Sequence, residues 1–480
     1  MRQNIKINLF LLLSVITNLL ISCDGYLDDT PKGQKTPKTW TDYDAFINYS
    51  DQLYLEIDQI CILMDEYFKS NSKLNSDELT KAHATWDETV DRVLINADDR
   101  TYTRAYEGIF YWNLLVEDGM STTECTEEQQ RVLVAQGRFL RCLTYFHVTN
   151  YFAAPYSEAN KDKLCVPLVT SASLEAESPQ VSLETMYNFL ISDLESAIPD
   201  LPLTGENLFH PTKASGYGLL ARVYLTMGNY EKALEAANNA LALNDRLFSW
   251  LDYYNADRTR FETADNYTYT PVSTYANLEK ENPENYVFRY SSMMFYGGNS
   301  GSSSYALSEE RANQFEPGDT RLLTHWKQKA SASLGTYYYG IYNLAPNKGG
   351  IRAAEMYYIK AECLARKGGI ENINAAMEIL NQVRKTRILP EYYQVQTASS
   401  TEEAVNKIMD DKRNEFIQSI VNFSDRKRLN QDPTYMRTLT RVVNGVTYSL
   451  KPDSHLWIMP FPQSVIDNPG NGTITQNTSL

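Results

Sequence analysis

The chain is short of cysteine, of histidine and of positive charge, and each shortage excludes a class of function. Six cysteines are scattered over 480 residues, at 23, 61, 125, 142, 165 and 363, with no CxxC pair and no Cys/His ligand spacing. Neither a disulfide framework nor a zinc site is expected from them. The five histidines, His83, His147, His210, His325 and His455, include no HxxxH pair. No GxSxG, phosphate loop or dinucleotide fingerprint occurs either. Carboxylates are plentiful, but 60 acids make accidental pairs certain. No enzyme activity, metal or cofactor is therefore expected. Against those 60 acids stand 45 basic residues, a net charge of -15. Such a surface repels phosphate backbones and is not drawn to anionic lipid, so no nucleic-acid partner is expected.

A long apolar run is missing as well. Past Cys23 no stretch of 18 apolar residues occurs, so no spanning helix is expected. Before it, Arg2 and Lys6 precede a short apolar stretch from Leu9 to Ile21, broken by Ser14, Thr17 and Asn18. Leu20-Ile21-Ser22-Cys23 then reads as a lipobox. Residues 1–22 are expected to be a cleaved lipoprotein signal, leaving Cys23 as the lipid anchor.

Helical patterning and tyrosine are what the chain has in excess. Helices are predicted over Ala135–Phe152, Leu183–Ala197, Lys213–Thr226 and Tyr230–Leu243 from apolar residues at three- and four-residue spacing. The last two, joined by Gly228-Asn229 and rich in Ala and Gly, resemble a tetratricopeptide (TPR) hairpin. A second such unit covers Ile351–Arg387, with its second helix predicted at Ile373–Arg387. Segments 102–117, 135–152 and 183–197 are weaker members, giving about four helix pairs. Between Asp245 and Gly350 the pattern changes to Tyr, Ser, Asn and Gly. The expected fold is mainly α, a TPR-like helical-hairpin scaffold with an irregular, loop-rich insert containing short strands. The division is 23–245, an insert at 246–350 and 351–480, within one compact domain. Cys142 and Cys363 lie within apolar helical patterns and are expected as buried small hydrophobes.

The 34 Tyr and 6 Trp exceed what a core needs, and such rings suit a recognition surface. A sugar presents C–H faces to aromatic rings and hydroxyls to amides and charged groups. The candidates for glycan contact are aromatics off the helical repeats: Tyr67, Trp86, Phe295, Tyr296, Trp326 and Tyr338. Each is also a candidate for plain packing. Trp112 and Trp457 are assigned to packing.

Several segments resemble the SusD/RagB family along nearly the whole mature chain. They include Tyr106, Ile109 and Asn113, "RFLRCLTYFHVTNYFAAPY" (138–156), "LLARVYLTMGNYEKA" (219–233), "FEPGDTR" (315–321), "EMYYIKAECLARKGGIENINAAMEILNQVRKTR" (355–387) and "LWIMPFPQSVIDNPGNGTITQN" (456–477). The resemblance also implies a charged helix at Asp411–Asn422. There this chain keeps Arg413 and Glu415 but has Ser419 and Asn422 where the family has Glu and Arg. Losing both members together looks like removal of an ion pair, and the cluster is read as structural. The resemblance implies a non-enzymatic outer-membrane lipoprotein facing the extracellular side. It would bind an oligosaccharide and deliver it to a SusC-like TonB-dependent transporter. The alternative is a lid or gating subunit of that transporter, handling peptide or having little ligand affinity of its own.

Overall fold

The computed structural model describes residues 37–64, 74, 77–96, 98–263, 282–291, 306–331, 335–340, 347–443, 445–470 and 472–477. The signal at 1–22, the anchor Cys23 and the candidates Tyr67, Phe295 and Tyr296 lie outside the described residues. No described helix is long and apolar enough to cross a membrane.

Helices carry the architecture, and most start where a polar side chain can take up the free N–H groups of a first turn. Helix α1 (Trp40–Ile47) opens on a capping box between Thr39 and Asp42. Helix α2 (Arg100–Asp118) opens on Asp99, whose carboxylate accepts from the amides of Thr101 and Tyr102. Helix α3 (Glu127–Phe152) starts on a Thr126/Gln129 capping box, two turns ahead of the apolar stripe that predicted it. Helices α4 (Leu183–Ala197), α5 (Lys213–Thr226) and α6 (Tyr230–Leu243) occupy the predicted residues. Helices α7 (Ala353–Lys367) and α8 (Ile370–Arg384) form the second hairpin, with α8 three residues upstream of its predicted span. Its first turn does not face the core, and Ile370 is exposed, so the apolar stripe could not mark that end.

One expectation fails. The run Asp411–Asn422 is not one helix. Helix α9 (Thr401–Glu415) ends there, Gln418 takes a left-handed φ of 55°, and α10 (Ile420–Leu429) starts afresh. Ser419 and Asn422 cap that break: Ser419 Oγ donates to the Phe416 carbonyl, and Asn422 Nδ2 to the Arg413 carbonyl at 2.8 Å. Their short polar side chains serve the broken backbone, where a charged pair would have to be buried.

The pairs α2–α3, α5–α6 and α7–α8 pack as hairpins, and α6 packs on α7 to join the two TPR-like units. Small residues make the contacts close. Ala233, Ala236, Ala237 and Ala240 are buried on one face of α6. A methyl group on Gly218 would stand 2.7 Å from the Ile351 side chain, so only glycine lets the strand after the insert approach α5. Buried ion pairs register the layers: Arg141 of α3 grips Asp193 of α4 at 2.6 and 2.8 Å, and Arg222 of α5 grips Glu355 of α7 at 2.7 and 2.6 Å. Cys142 and Cys363 are buried in helices, and Trp112 and Trp457 are buried in the core.

Strands are short. They comprise β1 (Tyr54–Leu55), β2 (Asn285–Val287), β3 (Tyr290–Ser291), β4 (Leu307–Ser308), β5 (Trp326–Ser331), β6 (Gly335–Gly340) and β7 (Ile351–Arg352), besides two hairpins at 164–182 and 439–450. Strand β1 pairs in parallel with β3, β2 runs antiparallel to β7, and β4, β6 and β5 make a three-stranded sheet. The insert is thus stitched to the helical body at two places.

Three histidines are held well below their ordinary value by desolvation. Burial lowers His83 to about 3, His147 to about 4 and His325 to about 3. A depressed histidine means the unfolded chain binds more protons below its ordinary value of 6.5. Stability is therefore expected to be complete above pH 6.5 and to fall as pH drops toward 4. Each histidine contributes a slope of about 1.4 kcal/mol per pH unit. Urea midpoints at pH 7, 6 and 5 check this, and His147→Gln should flatten the profile.

Candidate functional site

A concavity of about 830 Å³ lies where loop 203–212, the end of α6 and segment 282–290 meet. That volume falls in the range of small-ligand pockets. Two half-buried rings, Phe209 and Tyr290, face each other across 6.0 Å at a tilt of 44°. Around them stand Asn207, Asn244, Asn282 and Asn285, with Thr204, Thr212 and Arg246. Apolar rings beside amides, hydroxyls and one guanidinium suit a polyhydroxylated ligand.

The backbone holds these side chains in place. The Phe288 amide donates to the Leu208 carbonyl at 2.8 Å, Arg289 Nη1 to the Phe209 carbonyl at 2.9 Å, and Thr212 Oγ1 to the Tyr286 carbonyl at 3.1 Å. The loop is thereby zipped to the strand segment. Tyr290 is backed by Tyr54, stacked at 4.9 Å with 20° between planes, because β1 and β3 pair in register there. Tyr286 lines the floor, its hydroxyl donating to the Asn244 carbonyl, and burial pushes its pKa well up. Arg289 is buried beside the loop, and burial lowers it to about 9.

Two family models together account for most of the chain. The one described as "Starch-binding associating with outer membrane" matches residues 25–225, and the one described as "SusD family" matches 248–479. The chain belongs to the SusD family. A SusD-like protein, P2, of Formosa agariphila is 32% identical over 113 residues, which is 23% of this chain and only 21% of that relative's length. A SusD superfamily protein of Bacteroides vulgatus superposes with a TM-score of 0.70 at 18% identity, covering 92% of this chain and 99% of its own. A SusD-like carbohydrate binding protein from the same organism gives a TM-score of 0.61 at 17% identity, covering 86% and 89%. The structural likeness shows the SusD fold, with its TPR-like helices.

Within that fold the aromatics singled out from sequence are dispersed. Trp86 is 5% exposed, its indole N–H donates to the Leu63 carbonyl at 2.7 Å, and Arg441 covers its ring at 4.7 Å. Its polar sequence neighbours hid this, because the partners are remote in the chain. Trp326 is also buried, at the base of a pocket of about 40 Å³, room for a few waters. Tyr338 is half-buried, packed with Trp326 against Leu307, Phe315 and Ile417, while its neighbours Tyr337 and Tyr339 point into a second aromatic core. Strand alternation produces that split. The structure brings Trp326 and Tyr338 together, and leaves Trp86 elsewhere. Phe209 and Tyr290 were missed, although each is an aromatic in a polar, Asn- and Pro-containing segment outside the helical repeats.

Proposed function

We propose that this SusD-family chain is a lipid-anchored surface protein of the outer membrane that binds an oligosaccharide and passes it to a SusC-like TonB-dependent transporter. The observation that carries the reading is the cleft between Phe209 and Tyr290, rimmed by four asparagines and Arg246. A carbohydrate-binding relative of the same fold supports it. So does the lipobox at Cys23, which would tether the body outside the cell. Rings and amides arranged to surround a ligand fit binding.

Calorimetry against a panel of oligosaccharides tests the reading. Tyr290→Ala removes one stacking face, worth about 1–1.5 kcal/mol, so affinity is expected to fall about tenfold with little change in the unfolding midpoint. Undiminished affinity in Tyr290→Ala and Phe209→Ala would remove the cleft from the proposal. Tyr67, Phe295, Tyr296 and Tyr338 are probed by alanine in the same assay. Acyl labelling lost in Cys23→Ala, and co-purification of the native protein with a large barrel, test the anchor and the partner.

A further inference from the structure

Loop 203–212 does more than line the cleft. It carries Glu206 and His210 to the side of α1, where Asp44 stands, and one ligand atom from each of the three lies within 4.8 Å of the others. The His210 imidazole is 2% exposed. Its Nε2 lies 2.9 Å from Asp44 Oδ1, and its Nδ1 lies 2.9 Å from Asn207 Oδ1.

The orientation of the Asn207 amide decides which nitrogen holds the hydrogen. Asn207 Oδ1 accepts the backbone N–H of Phe209 at 2.9 Å, and a backbone amide can only donate. Asn207 Nδ2 correspondingly turns to Asn48 Oδ1 at 2.9 Å. The oxygen therefore faces His210, and Nδ1 must carry hydrogen. In a neutral imidazole the other nitrogen then offers a lone pair, and here that lone pair meets a carboxylate oxygen. Two acceptors at 2.9 Å require between them either a proton, on Nε2 or on the carboxyl, or a metal ion. A proton would account for the Asp44–His210 pair alone, whereas a metal ion would engage all three converging ligand atoms.

We propose that Asp44, Glu206 and His210 bind a divalent transition-metal cation of the zinc class. One imidazole nitrogen and two carboxylate oxygens are a donor set for such an ion, with the remaining positions open to solvent on the Glu206 side. Tetrahedral bonds of about 2.0–2.2 Å place donor atoms about 3.4 Å apart, so the ion enters by opening the 2.9 Å Nε2–Oδ1 contact by about 0.5 Å. The Nδ1–H bond to Asn207 is the outer contact that orients a ligating histidine. The ion clips loop 203–212 to α1 and so steadies Gly205, Asn207 and Phe209 in the cleft wall. The site does not depend on what the cleft binds.

The test is calorimetry and thermal unfolding of the full mature chain, stripped with chelator and titrated with zinc chloride, and separately with calcium chloride. One zinc per chain at micromolar affinity is expected, with a higher unfolding midpoint that chelator reverses. Glu206 is exposed, so Glu206→Gln should leave the metal-free midpoint unchanged while weakening zinc about tenfold or more. His210→Gln should abolish the binding. Zinc binding that survives Glu206→Gln at full strength, or a preference for calcium, would overturn the proposal. So would an Nε2–H resonance of His210 that persists in zinc-saturated protein, since it would mark the bridge as an ion pair.

Discussion

Glu415→Ala is expected to cost about 3–5 kcal/mol of folding stability, the penalty for stranding buried charges. The Glu415 carboxylate, 1% exposed, takes Arg321 at 3.1 Å, Arg352 at 2.9 Å and Arg387 at 3.0 Å. Glu284 shares Arg352 and Arg387, while Asp319 and Asp411 share Arg321. Tyr358 donates its hydroxyl to Asp411 at 2.6 Å. The network thus ties the insert, α7 and the end of α9 into one object. Removing its central anion leaves three buried guanidinium groups short of countercharge, and Glu415→Gln should be nearly as damaging. Urea unfolding checks this, with a lowered midpoint at an unchanged slope.

Acidity should reach the same network. Burial alone would raise the Glu415 pKa, but Arg387, Arg352 and Arg321 outweigh it and hold the carboxyl far below its ordinary value. Nearby Glu362 behaves alike: burial pushes upward, Arg428 and Arg366 prevail, and the group sits at about 2. Depressed carboxylates contribute stability that is complete above their ordinary value of 4.5 and is lost as pH falls toward the folded value. Acid unfolding below pH 4.5 should therefore be milder in Glu362→Gln, measured relative to its own midpoint at pH 7.

Gly350→Ala is expected to cost about 3 kcal/mol, the upper part of the range for overpacking. A methyl group there would overlap the Val287 carbonyl oxygen and the Asn347 side-chain amide. Neither can retreat. The Val287 carbonyl accepts from Asn347 Nδ2 at 2.8 Å, and Val287 pairs with Ile351 in the β2–β7 ladder. The Gly350 amide donates to Asn347 Oδ1 at 2.9 Å, and its carbonyl accepts from Arg222 at 2.9 Å. Shifting this backbone loosens the insert from α5 and weakens the grip of Arg222 on Glu355. Adding Asn347→Ala removes one of the two clashes and should not restore stability, because the clash with backbone remains. The same unfolding assay reads both variants.

How much of this was legible beforehand depended on whether the information was local. Helices α4, α5 and α6 could be read from spacing because a helix face repeats every three or four residues along the chain itself. The structural role of the cluster around Glu415 was implied by the family resemblance, in which two later charges are lost together. The start of α8 and the break at Gln418 could not be read, since a solvent-facing first turn carries no apolar mark and one left-handed residue leaves no periodic trace. Trp86 illustrates the opposite error: a tryptophan among polar neighbours looks exposed until Leu63 and Arg441 close over it.

The sequence by itself determined the family, the helical hairpins and the small-residue faces on which they pack. Only the tertiary structure decided where a ligand could lie. Phe209 and Tyr290 meet because the loop and strand segments bond backbone to backbone, and Asp44 reaches His210 across 166 residues. Periodicity records which way a side chain points from its own helix. It holds no record of which distant segment that side chain will face, because that is set by how the completed elements pack.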